Sequence, residues 1–308
     1  MNTSIIIPSS QAITQSLYRL SEKRRQLKVK DYLSISGAIG LNSHELIAQR
    51  GEVWGLVGGV GSGKTALSLQ LAVYLAKNKG LQTLFVSPET PDYIIHRRAM
   101  QMLTKQAKED ILNNIERIGT QSLAILNKIR VLAKAVNKQS LPNAIKLLEQ
   151  REDRKFDLIV IDHLKLLDWQ TDDIRIELEQ FCPFIKQLAE RLNCIVLLVN
   201  QVPKYIEQQI SMHNSKIAMI DVAEASGIYQ VLDGGLIIDC PRGSNSSDRL
   251  VSVGKARDFS TTDLSPTRFR QSPIYWLFEP EKVAEERESR SALVDREEIR
   301  AAKNVSFF

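Results

Sequence analysis

Short apolar runs alternate along this chain with helical or polar stretches. Glu52-Val53-Trp54-Gly55-Leu56-Val57 reads as a buried strand, followed by a Gly-rich turn and a helical run from Thr65 to Lys77. Further strands are predicted at Thr83 to Val86, Leu158 to Ile161, Ile195 to Val199, Leu236 to Ile238 and Leu250 to Val253. Strands that alternate with helices imply an α/β fold with a mainly parallel sheet covered on both faces. No helix separates Leu250 to Val253 from Ile274 to Phe278, which predicts an antiparallel extension. The span Lys105 to Arg154 is helix-favouring, with Ile111, Ile115 and Ile118, then Ile125, Ile129 and Leu132, at helical spacing, and Ser140-Leu141-Pro142 resets it. Between Ser9 and Val29, Ile13, Leu17, Leu20 and Leu27 predict an amphipathic helix, and the small residues from Ser34 to Gly40 predict a linker.

Composition narrows the class without naming the task. At 308 residues, 43% apolar and 25% charged, the chain suits one soluble α/β core with appendages. No apolar run approaches a membrane span, and Ile5-Ile6-Ile7 lacks the flanks of a signal peptide, so the expected location is cytoplasmic with no membrane partner. Cys182, Cys194 and Cys240 have neither metal-ligand spacing nor an even count, which favours reduced packing thiols. The net charge of +5 is uneven. Arg19, Lys23, Arg24, Arg25, Lys28, Lys30 and Arg50 make a basic arm that suits phosphate backbones, a neighbouring subunit or, equally, a solvated helix face.

The chemistry begins at Gly58-Gly59-Val60-Gly61-Ser62-Gly63-Lys64-Thr65, with Ala66 next, between a predicted strand and a predicted helix. This spacing is that of a phosphate-binding loop. Its glycines let backbone N–H groups turn around an ATP β-phosphate, Lys64 neutralises phosphate charge, and the Thr65 hydroxyl is placed to ligate Mg²⁺. The strand of Leu158 to Ile161 ends at Asp162, where a carboxylate faces the ligand crevice of an open α/β sheet and suits a metal-bound water. Asp157 precedes that run and falls at the strand's far end. Glu89 follows the strand Thr83 to Val86 and is either a general base for water or a helix-end carboxylate favoured by the macrodipole. Asn200-Gln201 ends the strand of Ile195 to Val199, where an amide senses a γ-phosphate or simply begins a loop.

These residues resemble the ATPase domain of DnaB-type replicative helicases within the RecA-like family, in patches from Ala38 to Phe259. Ser87-Pro88-Glu89 followed by Arg98 resembles the segment whose glutamate is the catalytic base. Leu158 to Leu166 resembles the Walker B stretch with Asp162 on the metal, and Asn200-Gln201-Val202 resembles the strand end whose sensor is Gln201. Asp221 to Gln230, followed by Asp233, is similar to the motif after the DNA-binding loop, and Lys255-Ala256-Arg257 resembles the Lys-x-Arg finger. The resemblance implies a RecA-like P-loop fold, ATP and Mg²⁺ as cofactors, and Lys255 and Arg257 reaching a neighbour's γ-phosphate. It also implies single-stranded DNA as substrate, a ring that is expected to be a hexamer, and replication or loader proteins as partners. The corresponding organisation is a basic amphipathic arm and linker over residues 1–37, a RecA-like ATPase domain over 38–280 and a charged tail over 281–308.

Ala223, His163 and Lys165 depart from the family's usual Arg, Tyr and Gln. Asp168-Trp169-Gln170-Thr171-Asp172-Asp173, placed like a central-pore loop, is acidic and repels phosphates, so Lys204 and Lys216 are the better candidates for a nucleic-acid loop. The first expectation is therefore a helicase motor. The alternative is a non-translocating RecA-like ATPase that regulates assembly, loading or recombination with a protein partner. The acidic segment favours it, as does a basic arm with no amino-terminal helicase domain ahead of it.

Overall fold

A computed structural model describes residues 32–35, 38, 46–164, 167–169, 173–203, 205–208, 217–219, 226–240, 247–256 and 266–281. The predicted arm helix from Ser9 to Val29 and the tail beyond residue 281 lie outside the described residues. Two short strands, β1 (Tyr32–Ser34) and β2 (Ile47–Gln49), pair antiparallel at the amino-terminal side. The remaining strands form a nine-stranded sheet. In chain order they are β3 (Val53–Gly58), β4 (Thr83–Val86), β5 (Ile129–Leu132), β6 (Leu158–Asp162), β7 (Ile195–Gln201), β8 (Gly234–Asp239), β9 (Asp248–Ala256), β10 (Thr267–Gln271) and β11 (Phe278–Pro280). Across the sheet the order is β11-β10-β9-β8-β3-β7-β6-β4-β5. The run from β8 to β5 is parallel, and β9, β10 and β11 add antiparallel strands at the β8 edge.

The helices that cover the sheet are α1 (Lys64–Asn78), α2 (Asp92–Thr104), α3 (Lys108–Asn113), α4 (Thr120–Leu126), α5 (Ser140–Glu152), α6 (Ile174–Leu192) and α7 (Ser226–Val231). Strand alternation sorts the core into two layers. Trp54 and Leu56 of β3, Leu158 and Val160 of β6, and Leu197 and Val199 of β7 pack with α1, α2 and α4. Val53 and Val57, Ile159 and Ile161, and Val196 and Leu198 pack with α5, α6 and α7 on the opposite face. This period-2 sorting also decides the site. Asp162 and Gln201 continue the phases of Leu158 and Val199, and so belong to the face that α1 covers.

Two segments differ from the sequence expectation. Ile129 lies on β5, an edge strand paired with β4, and not on a helix. The helical spacing there spans only three residues, and the hydrogen bond from Thr83 N–H to Lys128 O, at 2.8 Å, ties the segment to the sheet instead. Ile274 to Phe278 is not one strand, because residues 272–277 turn. Ser272 N–H donates to Leu277 O at 2.8 Å, and Trp276 adopts a left-handed φ of 58°. The antiparallel extension is made by Thr267–Gln271 against β9. Among the described residues no helix is long and apolar enough to cross a membrane.

Cys182 and Cys194 are buried, which pushes both thiols up to about 12, whereas Cys240 is exposed. A maleimide applied to the native protein near neutral pH is expected to label Cys240 alone, and all three thiols after unfolding in guanidinium. Rapid native labelling of two sites, read by intact mass, would contradict this packing.

Candidate active site

β3 and β6 are not neighbours, since β7 lies between them and aligns Gly58 with Gln201 and Asp162 with Val199. The carboxyl ends of three adjacent parallel strands therefore present the start of the phosphate loop, an amide and a carboxylate in one row. Glu89 enters from the next strand, three residues beyond the end of β4.

The loop from Gly58 to Gly63 ends on the first turn of α1, and its shape demands glycine at both ends. A Cβ on Gly58 would stand 2.5 Å from Ser62 Oγ and 2.6 Å from Ile238 O. Gly63 has a φ of 94°, and a Cβ there would meet Gln271 Oε1 at 2.7 Å and Phe278 at 2.8 Å. Lys64 is buried and curls back so that its Nζ donates to Gly59 O at 2.6 Å. Burial lowers the Lys64 ammonium to about 8, against nearby Asp162 and Glu207, which raise it. Val60 N–H donates to Glu207 Oε1 at 2.8 Å.

Asp162 is 3% exposed. Burial raises its carboxyl above the ordinary range, while the charge of His163, a hydrogen bond from the Thr65 side chain and the charge of Lys64 oppose that rise. Its Oδ1 is buried with no hydrogen-bond partner. An unsatisfied carboxylate oxygen beside a threonine hydroxyl is a pair of hard oxygen donors, so these residues fit Mg²⁺. Asp157, the competing carboxylate, lies at the other end of β6, where it pairs with Arg50 and accepts Gln82 N–H at 2.7 Å.

Glu89 projects into solvent, its side chain 66% exposed, with His163 Nε2 3.9 Å away. Arg98 of α2 stacks over the Trp276 ring at 3.7 Å. Burial lowers the Arg98 pKa, helped by the charge of Arg97 and opposed by Asp162 and Glu89. Asn200 turns its side chain back, and its Oδ1 accepts Gln201 N–H at 3.0 Å.

The structure does not bring Lys255 into this group. Lys255 pairs with Gly235 near the amino-terminal end of β8, the end away from the phosphate loop, where its Nζ donates to Tyr229 O and lies 4.2 Å over the Tyr229 ring. Arg257, Lys204, Lys216 and residues 220–225 lie outside the described residues. Sequence reading missed Glu207 and Arg249. Arg249 carried a visible signal, for it shares the strand phase of buried Val251, and a charge in a buried phase needs partners.

The model of the DnaB-like helicase C-terminal domain matches residues 37–265. The chain belongs to that family. Over 187 residues this DnaB-like domain is 24% identical to a protein of Chlamydia psittaci described as a probable plasmid replicative DNA helicase, covering 56% of this chain and 40% of that protein. The chain thus spans less than half the length of that relative. It superposes on the ATPase domain of G40P with a TM-score of 0.67 at 14% identity, over 88% of this chain and 99% of that one. A DnaB-like replicative helicase, described with its interactions with primase, gives a TM-score of 0.70 at 14% identity, over 90% of this chain and 68% of that one. These likenesses show the fold of the DnaB-like domain, a RecA-like α/β sheet.

Phosphate oxygens placed at Lys64 would favour its ammonium form, so a protein that binds nucleotide there would hold more protons than the free one above about 8. Affinity for ADP is expected to be flat below that pH and to fall above it, by at most about tenfold per unit. Lys64→Ala should bind weakly, hydrolyse nothing and lose this slope. Titration calorimetry across pH checks the sign, and a flat profile in the wild type would contradict it.

Proposed function

We propose that this DnaB-like domain hydrolyses ATP to drive movement along single-stranded DNA in replication, as one subunit of a ring expected to be a hexamer. The observation that carries the reading is the meeting of Lys64, Thr65 and Asp162 at one end of the sheet, with Glu89 following the same end of β4, the neighbour of β6. In this reading the amides from Gly59 to Ala66 and Lys64 bind the phosphates, and Thr65 and Asp162 hold Mg²⁺. The ion supplies charge neutralisation at the β- and γ-phosphates. Glu89 accepts the proton of the attacking water, and its exposure leaves room for that water. Gln201 reports the state of the phosphate end to the segment that follows β7. Its setting is the cytoplasm, and replication or loader proteins, such as a primase, are its proposed partners.

The finger acts between subunits. Lys255 stands at the end of the sheet opposite the chain's own phosphate loop, which supports Lys255 and Arg257 serving a neighbour's site. A second reading, a non-translocating ATPase that controls assembly with a protein partner, is favoured by one observation. Asp168 of the acidic segment is held by Asn137 Nδ2 at 2.9 Å, and Trp169 packs edge-on to Phe181 at 5.4 Å, which fixes the start of that segment with a carboxylate that repels a phosphate backbone.

Single-stranded DNA is expected to raise ATP turnover and to form a nucleotide-dependent complex visible by mass measurement. Assembly without any effect of DNA would leave the second reading standing. Glu89→Gln should bind ATP near normally and lose on the order of 10²- to 10⁴-fold in turnover. A variant that turns over normally would reduce Glu89 to a helix-end carboxylate.

Arg257→Ala should keep ATP binding and lose hydrolysis, and mixing it with Lys64→Ala should restore part of the activity. One variant supplies the loop and base while the other supplies the finger, and an in-trans finger contributes on the order of 10³ to 10⁵ in rate. Exchange of subunits without recovery would end the shared-site model.

A further inference from the structure

We propose that Arg249 is a positioning residue for the phosphate loop, holding its peptide planes so that their N–H groups face the nucleotide. This rests on the reading of the loop as a nucleotide site and adds a residue outside the loop motif. Strand pairing brings Arg249 there. Asp239 at the end of β8 is opposite Leu250 of β9, and Ile238 is opposite Gly58, so the start of β9 stands level with the loop.

Arg249 is 8% exposed. Its Nε–H donates to Ser62 O at 2.9 Å, one Nη donates to Gly61 O at 3.2 Å and the other to Asp248 O at 2.8 Å. In a planar trans peptide the carbonyl and the N–H point in opposite directions. Gripping the carbonyls of Gly61 and Ser62 therefore directs the N–H groups of Ser62 and Gly63 away from the guanidinium, into the loop. Ser62 N–H is indeed turned inward, onto Gly59 O at 3.3 Å, the same oxygen that receives Lys64 Nζ at 2.6 Å. A phosphate entering the loop would meet amides already aimed at it, with a fixed positive charge behind them. The rigid fork of arginine can reach two adjacent carbonyls together, whereas a lysine offers a point charge on a flexible stem.

The β-phosphate shared by ADP and ATP would feel this arrangement most. Arg249→Gln is expected to weaken ADP binding about tenfold or more, as loss of a charge-assisted pair of bonds implies. KM for ATP should rise in proportion, with kcat at saturation within about threefold of wild type. Arg249→Lys should fall between the two. Arg270→Gln is the control, because Arg270 faces Asp248 from β10 and is not among the groups that hold the loop. Its ADP affinity should match wild type.

Calorimetry with ADP and melting curves for each variant decide the matter. Wild-type ADP affinity in a folded Arg249→Gln, or an unchanged KM with a fallen kcat, would overturn the assignment. If Arg249→Gln fails to fold, Arg249→Lys decides, and wild-type ADP affinity in that variant would overturn it. A wild-type chain that binds neither ADP nor ATP would remove the nucleotide site itself. Binding by the wild type with no effect at Arg249 removes only this inference.

Discussion

A strand buried on both faces and paired on both edges can present chemistry in one direction only, at its carboxyl end, and β3 is such a strand. β7 and β8 flank it in parallel, and all six of its residues are buried. The chain leaving Gly58 must therefore turn over the top of the sheet and descend as α1. β7 places Gln201 level with that turn, β6 brings Asp162 to the α1 face by strand phase, and β4 delivers Glu89 from farther out. The lower end of β3 is fixed as firmly. Asp233 accepts Val53 N–H and Lys186 Nζ, each at 2.8 Å, so α6 is tied to the strand that carries the loop.

The site holds opposite charges in a protected place without fully satisfying them. Lys64 donates to a carbonyl of its own loop, and one oxygen of buried Asp162 has no partner. Burial disfavours both charges, lowering one pKa and raising the other, and each is eased by the other's presence. A fold stabilised for itself alone would place apolar groups here. Unsatisfied polarity beside a buried cation reads as preparation for a charged ligand whose own oxygens complete the set.

The parts legible in the sequence were those whose cause is local. The phosphate-loop spacing, the strand Thr83–Val86 and the carboxylate closing an apolar run can be read within a few residues of one another. β5 was not legible, because Ile125, Ile129 and Leu132 carry a helical spacing that pairing with β4 overrides. The turn at 272–277 was hidden for a similar reason, since it is closed by Ser272 and Leu277 and capped by the stack of Trp276 on Arg98, far back in the chain. Glu207 and Arg249 touch the loop from sequence distances of 147 and of 187 and 188 residues, and no local pattern reports such meetings.

The hairpin of β10 and β11 sets the boundary of what can be handled as a separate body. The family match ends at residue 265, before either strand begins. Yet Phe269 and Phe278 are each 1% exposed within the layer that α1 covers, and Gln70 of α1 exchanges two hydrogen bonds with the Phe278 backbone, at 2.7 and 3.1 Å. A fragment trimmed to the matched residues would lose both aromatic rings from the layer that α1 covers, strip the buried Gln70 amide of its two Phe278 partners and uncover the side of Gly63 where Gln271 now stands. For anyone cutting this chain, the folded unit includes β10 and β11, and the extent of recognisable ancestry is a poor guide to the extent of the folded object.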